Sequence, residues 1–190
     1  MNPPSLVPCA VLACHPSTPC PAIRLFEVKV RPGEGKLALE YRLEGDIGAL
    51  DIPPTDPSHR ADGLWQNTCC ETFIRGEGEV YYEFNFSPST AWAAYRFTAY
   101  RQGMALVDLA EPVKITARHD AQRLELEAVV KLAGLPLPKE GKLRLGLSAV
   151  VKQKHGELSY WAFAHPQDMP DFHHPDGFTF DTETADISRM

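Results

Sequence analysis

Two stretches hold aromatic and acidic side chains at turn-rich edges of the chain: Asp62-Gly63-Leu64-Trp65-Gln66-Asn67-Thr68-Cys69-Cys70-Glu71, and Tyr160-Trp161 followed by Asp171-Phe172-His173-His174-Pro175-Asp176-Gly177-Phe178. A flat aromatic can lie on the apolar C–H face of a sugar ring, while carboxylates and amides beside it accept or donate hydrogen bonds to the hydroxyls. Trp65 stands just before a β-patterned run in which Cys69, Glu71 and Phe73 fall on one face and Cys70, Thr72 and Ile74 on the other. Two readings stand for it: a rim tryptophan that stacks on a ligand with Glu71, Asn67 or Gln66 nearby, or a core-edge residue that closes the end of a sandwich. Phe172 and His173, on an irregular loop, would supply the opposite wall. Trp161 lies inside a strand pattern, which favours core packing, and it is kept as a candidate for the site.

Other chemistries find less support in these residues. His165, His173 and His174 with Asp168 or Asp171 match no zinc spacing, and adjacent histidines rarely share one ion, so no metal ligand is assigned. Cys69 and Cys70 point to opposite faces and no base lies beside them in sequence; the five cysteines lack a CxxC pair and read as reduced thiols. Glu71 and Glu83 could be paired on paper for glycoside hydrolysis, as could any two acids of a β protein. No P-loop or dinucleotide fingerprint is present. No catalytic residue is therefore expected, nor any cofactor.

The elements that must position the two clusters are strands. Leu37, Leu39, Tyr41 and Leu43 alternate with Lys36, Glu40, Arg42 and Glu44; Val80, Tyr82, Phe84 and Phe86 with Tyr81, Glu83, Asn85 and Ser87; Leu124, Leu126, Ala128 and Val130 with charged neighbours; and Leu143 to Val151 continues the pattern. With weaker candidates at 6–14, 23–31, 69–75, 91–101, 113–119, 158–164 and 177–181, about ten strands are predicted in an antiparallel β-sandwich. The 17 prolines oppose helix, apart from one short turn near Lys131 to Gly134. Leu50 to Leu64 and Ala164 to Gly177 read as long irregular loops, which in a compact domain are usually functional or mobile. The 190 residues are expected to form one domain.

Net charge is −6, from 19 Lys plus Arg against 25 Asp plus Glu, with no basic run, which argues against nucleic acid or an anionic membrane as partner. No apolar stretch approaches the ~18–20 residues of a membrane span. The N-terminal segment has no positive start and reads as a first strand rather than a signal peptide, so a cytoplasmic address is expected.

The runs Leu64-Trp65-Gln66-Asn67-Thr68-Cys69-Cys70-Glu71-Thr72-Phe73-Ile74, Tyr82-Glu83-Phe84-Asn85-Phe86-Ser87-Pro88 and Trp92-Ala93-Ala94-Tyr95-Arg96-Phe97 resemble a bacterial group of DOMON-like proteins similar to family 9 carbohydrate-binding modules, over almost the whole chain. That resemblance implies a jelly-roll or immunoglobulin-like β-sandwich over 1–190, without catalytic machinery, that binds a saccharide. It further implies that Trp65 and Phe172 sandwich the sugar while Glu71 and Asn85 orient it. In the sugar-binding relatives a Trp stands at the place of Phe172 and a basic side chain at that of Glu83. Two alternatives stand beside saccharide binding: b-type haem, which other DOMON domains hold, with Met104, Met169, His119, His155 and His165 available here, and a protein-interaction module with no small ligand.

Overall fold

The computed structural model describes residues 7–33, 35–138 and 142–183. Thirteen strands are assigned among them: β1 Cys9–Val11, β2 Ala13–Cys14, β3 Ile23–Gly33, β4 Lys36–Gly45, β5 Cys69–Arg75, β6 Tyr81–Phe86, β7 Trp92–Phe97, β8 Ala105–Leu106, β9 Lys114–His119, β10 Arg123–Lys131, β11 Lys142–Lys152, β12 Leu158–Ala162 and β13 Phe180–Glu183. They form two antiparallel sheets, one in the order β1-β3-β4-β10-β9 and the other β2-β12-β11-β5-β6-β7-β8 with β13 also on β11. The all-β antiparallel sandwich expected from the period-2 pattern is the fold observed.

The core lies between the sheets because alternation gives each strand one apolar face. Val28, Val30, Leu39, Tyr41, Leu43, Leu126 and Ala128 from the smaller sheet meet Ile74, Phe84, Phe86, Leu145, Leu147 and Ala149 from the larger, all essentially inaccessible. Each such side chain contributes about 1.5–3 kcal/mol by leaving water. Tyr41 is the polar exception: its hydroxyl sits 2.7 Å from the Glu71 carbonyl and 2.6 Å from Thr72 Oγ1, tying the smaller sheet to β5.

Several elements differ from expectation. The single strand at 6–14 is two, because the chain turns at buried Leu12 so that β1 pairs with β3 and β2 with β12 in the other sheet; Leu6 lies outside the described residues. The run at 91–101 stops at Phe97, and the chain turns through Thr98–Gly103, with Arg101 at φ +54°, into the short β8. β10 continues through Lys131 and a plain turn follows, while short 3-10 turns occur at Ile47–Ala49, Leu64–Gln66 and Pro175–Gly177.

Strands β5 and β6 are buried on both faces, although alternation predicts a solvated outer face. The reason is the path of the chain between β12 and β13. Both pair with the same edge of β11, β12 against Ser148–Lys152 and β13 against Lys142–Leu145. The segment from Phe163 to Thr179 therefore leaves and rejoins the sheet at neighbouring points and arches over its outer face as a compact loop. Beneath it Phe73, Tyr81, Ala93, Tyr95, Phe97 and Phe178 form a second apolar cluster, with Leu64 and Phe172 against it.

Gly146 lets this loop close. A Cβ there would stand 2.8 Å from Phe178 Cδ1 and 3.3 Å from Phe73 Cβ, so any side chain would lift Phe178 off the sheet. Gly146→Ala is expected to cost ~1–3 kcal/mol of stability in urea unfolding through this overpacking.

Candidate functional site

Beside the second cluster, sharing Phe97 and Phe172 with it, lies a cavity of ≈ 690 Å³ on the outer face of the larger sheet, lined by Trp65, Glu71, Glu83, Phe97, Arg101, Tyr160, Phe172 and His173, with Thr18, Met104, Val150, Met169 and Pro170 completing it. This is within the range of small-molecule sites, about 300–1,000 Å³.

One wall is Trp65. Gly63, at φ +73°, starts the 3-10 turn Leu64–Gln66 in a left-handed conformation that a side chain would strain. The Gln66 and Asn67 amides close it on the Gly63 and Leu64 carbonyls. Leu64 then points into the apolar cluster and Trp65 out, 38 % exposed, its ring edge-on to Tyr95 at 6.0 Å. The turn is pinned at both ends: the Tyr95 hydroxyl donates to Asp62 at 2.7 Å, and Lys152 Nζ donates to Asn67 Oδ1 at 3.0 Å. Of the two readings of Trp65, the rim position is the one observed.

A second aromatic lining the cavity is Phe172, half-buried and edge-on to Tyr160 at 5.9 Å. Asp171 sets its place. The Asp171 carboxylate accepts from Arg101 Nη2 at 2.8 Å, from the Tyr100 hydroxyl and from the His173 amide at 3.1 Å, fastening the loop to the β7–β8 turn. Burial alone would raise the Asp171 carboxyl, but the hydrogen bonds from Tyr100 and Arg101 outweigh it and hold it below the usual range. Asp171→Ala is expected to release this clamp: amides of 164–177 lose protection in hydrogen exchange, and affinity for whatever the cavity binds falls roughly three- to tenfold.

His173 is wedged edge-on among the rings of Phe73, Tyr81 and Phe97 at 5.1–5.9 Å. Its Nδ1 shares a 2.9 Å hydrogen bond with the Tyr81 hydroxyl, and its Nε2 lies 3.8 Å from Glu83 Oε2. Burial, then the nearby Arg101 charge, lowers its pKa to about 4, so the ring is neutral at pH 7.

The floor carries two carboxylic acids. Cross-strand register sets Glu71 opposite Asn85 and Phe73 opposite Glu83, so the two acids are diagonal neighbours on one face. Glu71 is 3 % and Glu83 5 % exposed. Asn85 Nδ2 donates to Glu83 Oε1 at 2.7 Å, whereas Glu71 Oε1 has no partner among the described residues. Burial, reinforced by Glu83, drives the Glu71 carboxyl well above its ordinary range. Burial also pushes Glu83 up to about 7, against the Asn85 hydrogen bond and the Arg101 charge.

Of the residues singled out in the sequence, Trp65, Glu71, Phe172 and His173 meet in this cavity. Asn85 stands behind it, wholly buried, and acts through Glu83. Trp161 is elsewhere: alternation turns it inward, its ring packs on Phe26 at 5.9 Å and its Nε1 donates to Ser159 Oγ at 3.0 Å, so it belongs to the core. By the same alternation its neighbour Tyr160 faces the cavity. Arg101 was missed because it comes from a turn whose backbone no periodicity reveals. Glu83 was raised only as a paper partner of Glu71 and as the place where the sugar-binding relatives carry a basic side chain, not as a site residue. Among residues raised for haem, Met104 and Met169 line the cavity and His165 bonds the Ala13 carbonyl, while His119 is on β9 and His155 follows β11. Cys69 and Cys70 face opposite sides of β5 as the pattern requires, Cys70 within the core.

No protein-family model matches the sequence, and no curated protein matches it. Among solved structures the chain is similar to a candidate carbohydrate-binding protein from Bacteroides uniformis ATCC 8492, with a TM-score of 0.68 and 13% sequence identity over 91% of this chain and 84% of that one. At that identity the likeness establishes the sandwich fold.

Proposed function

We propose that this chain is a non-catalytic binding domain that takes a saccharide into the cavity between Trp65 and Phe172. The carrying observation is an aromatic-walled cavity whose floor presents a buried carboxyl with an unpartnered oxygen, Glu71 Oε1. A buried polar atom without a partner costs about 1–3 kcal/mol, and a ligand hydroxyl placed on Glu71 recovers that loss. The aromatic walls accept the apolar ring face at the same time. The fold shared with the Bacteroides protein, described as carbohydrate-binding, supports the reading, as does the resemblance to family 9 carbohydrate-binding modules. Affinity is expected at roughly micromolar to millimolar, since one stack adds only ~1 kcal/mol beyond area burial.

Of the three tryptophans, Trp92 and Trp161 are buried and Trp65 is exposed at the cavity. Intrinsic fluorescence therefore reports on the site. Titration with a panel of mono- and disaccharides, amino sugars included, is expected to give a saturable change. A flat response from folded protein across the panel would overturn the proposal.

A further inference from the structure

The two acids of the floor lack a protein cation. Among the described residues no Lys or Arg lies within 4.0 Å of either carboxylate, and the only basic group so placed is His173, 3.8 Å from Glu83. Arg101 lines the same cavity, but its guanidinium is bound to Asp171 at 2.8 Å. Two buried carboxyls thus stand side by side, one with an oxygen that has no partner among the described residues, in a cavity whose aromatic lining itself attracts cations. Hydroxyls alone would supply donors without charge. An ammonium supplies three donors and a positive charge that can take the place of a carboxyl proton, and hydrogen bonds between ionised partners are about twice as strong as neutral ones.

Resting on the saccharide reading above, we infer that the ligand is a sugar carrying a free, protonated amine, with the ring between Trp65 and Phe172 and the ammonium on Glu71 and Glu83. An N-acylated amine does not meet the same need, because the amide is uncharged and bulkier. The groups facing the acid pair are Asn85, the Cys69 thiol, the Tyr81 hydroxyl, neutral His173 and the Arg101–Asp171 pair. In the free protein burial holds both carboxyls above their ordinary range, Glu83 at about 7. Seating an ammonium at pH 6 ionises Glu83 and releases its proton to solvent.

The test is calorimetric titration of the full chain at pH 6 with glucosamine, glucose and N-acetylglucosamine, each in two buffers of different ionisation enthalpy. Glucosamine is expected to bind at least ~10-fold more tightly than the other two, with release of about one proton. Glu71→Gln, close in shape to the protonated acid and so compatible with the fold, is expected to lose the preference, glucosamine binding falling at least ~10-fold relative to glucose. Glucose binding as tightly as glucosamine would overturn the amino-sugar assignment and leave the saccharide reading standing. Absence of binding by all three sugars would overturn both.

Discussion

Trp65→Ala is expected to lower affinity for a bound saccharide by roughly 10- to 100-fold, the loss of an anchor worth ~1.4–2.8 kcal/mol. Folding should change little. Trp65 is 38 % exposed, and the turn that carries it is held by Gly63, by the Tyr95–Asp62 hydrogen bond and by Lys152 on Asn67, none of which uses the indole. Leu64, which does pack into the second apolar cluster, stays. The melting temperature should therefore move by no more than ~2–4 °C, the equivalent of about 1 kcal/mol in a domain of this size. Because the substitution also removes the reporting fluorophore, affinity must be read by calorimetry. A variant that binds as well as the parent would dissolve the aromatic-wall account; one that unfolds would make Trp65 a structural residue.

Glu83→Gln is expected to change how stability depends on pH. A carboxyl with an ordinary value of 4.5 that is pushed up to about 7 in the fold binds its proton more tightly when folded. Its contribution is complete below pH 4.5 and is lost as pH rises to about 7. At ~1.4 kcal/mol per unit this is on the order of 3 kcal/mol. His173 runs the other way: lowered from 6.5 to about 4, it gives stability that is present above pH 6.5 and lost as pH falls toward 4. In the parent the two slopes oppose each other between about pH 4.5 and 6.5. Gln cannot ionise and still accepts from Asn85 Nδ2, so the variant should lose the Glu83 fall, keep the His173 rise and gain on the parent between about pH 4.5 and 7. Urea unfolding from pH 4 to 8 reads this directly, and parallel profiles through pH 8 would refute the assignment of a protonated Glu83. Glu71, whose carboxyl Glu83 helps to raise, is raised less in the variant, which acts in the same sense as the loss of Glu83.

The same residues show where sequence is sufficient and where it stops. Alternation in Leu37–Leu43, Val80–Phe86 and Leu124–Val130 determined the strands and their inward faces, because side chains on a strand alternate by geometry and a slip of one residue would put the core in water. Hence the sandwich, the opposite faces of Cys69 and Cys70, and the place of Trp65 just ahead of the strand that carries Glu71 were all legible from local pattern. Trp161 illustrates the limit. An aromatic inside a strand is consistent with core or site until the register on β11 shows which way it faces.

What the tertiary structure decided depends on contacts between residues far apart in the chain. β12 and β13 dock on the same edge of β11, and that forces the intervening loop across the sheet, turning the outer faces of β5 and β6 from solvated to buried. Only this covering takes Glu71 and Glu83 out of water and makes an ordinary pair of strand acids a reactive-looking floor. The Arg101–Asp171 clamp, between residues 70 apart in sequence, has no periodic signature because neither end lies in a repeating element. Local periodicity fixes which face a side chain takes; what covers that face, and therefore what charge it can hold, is a long-range property that only the assembled sandwich supplies.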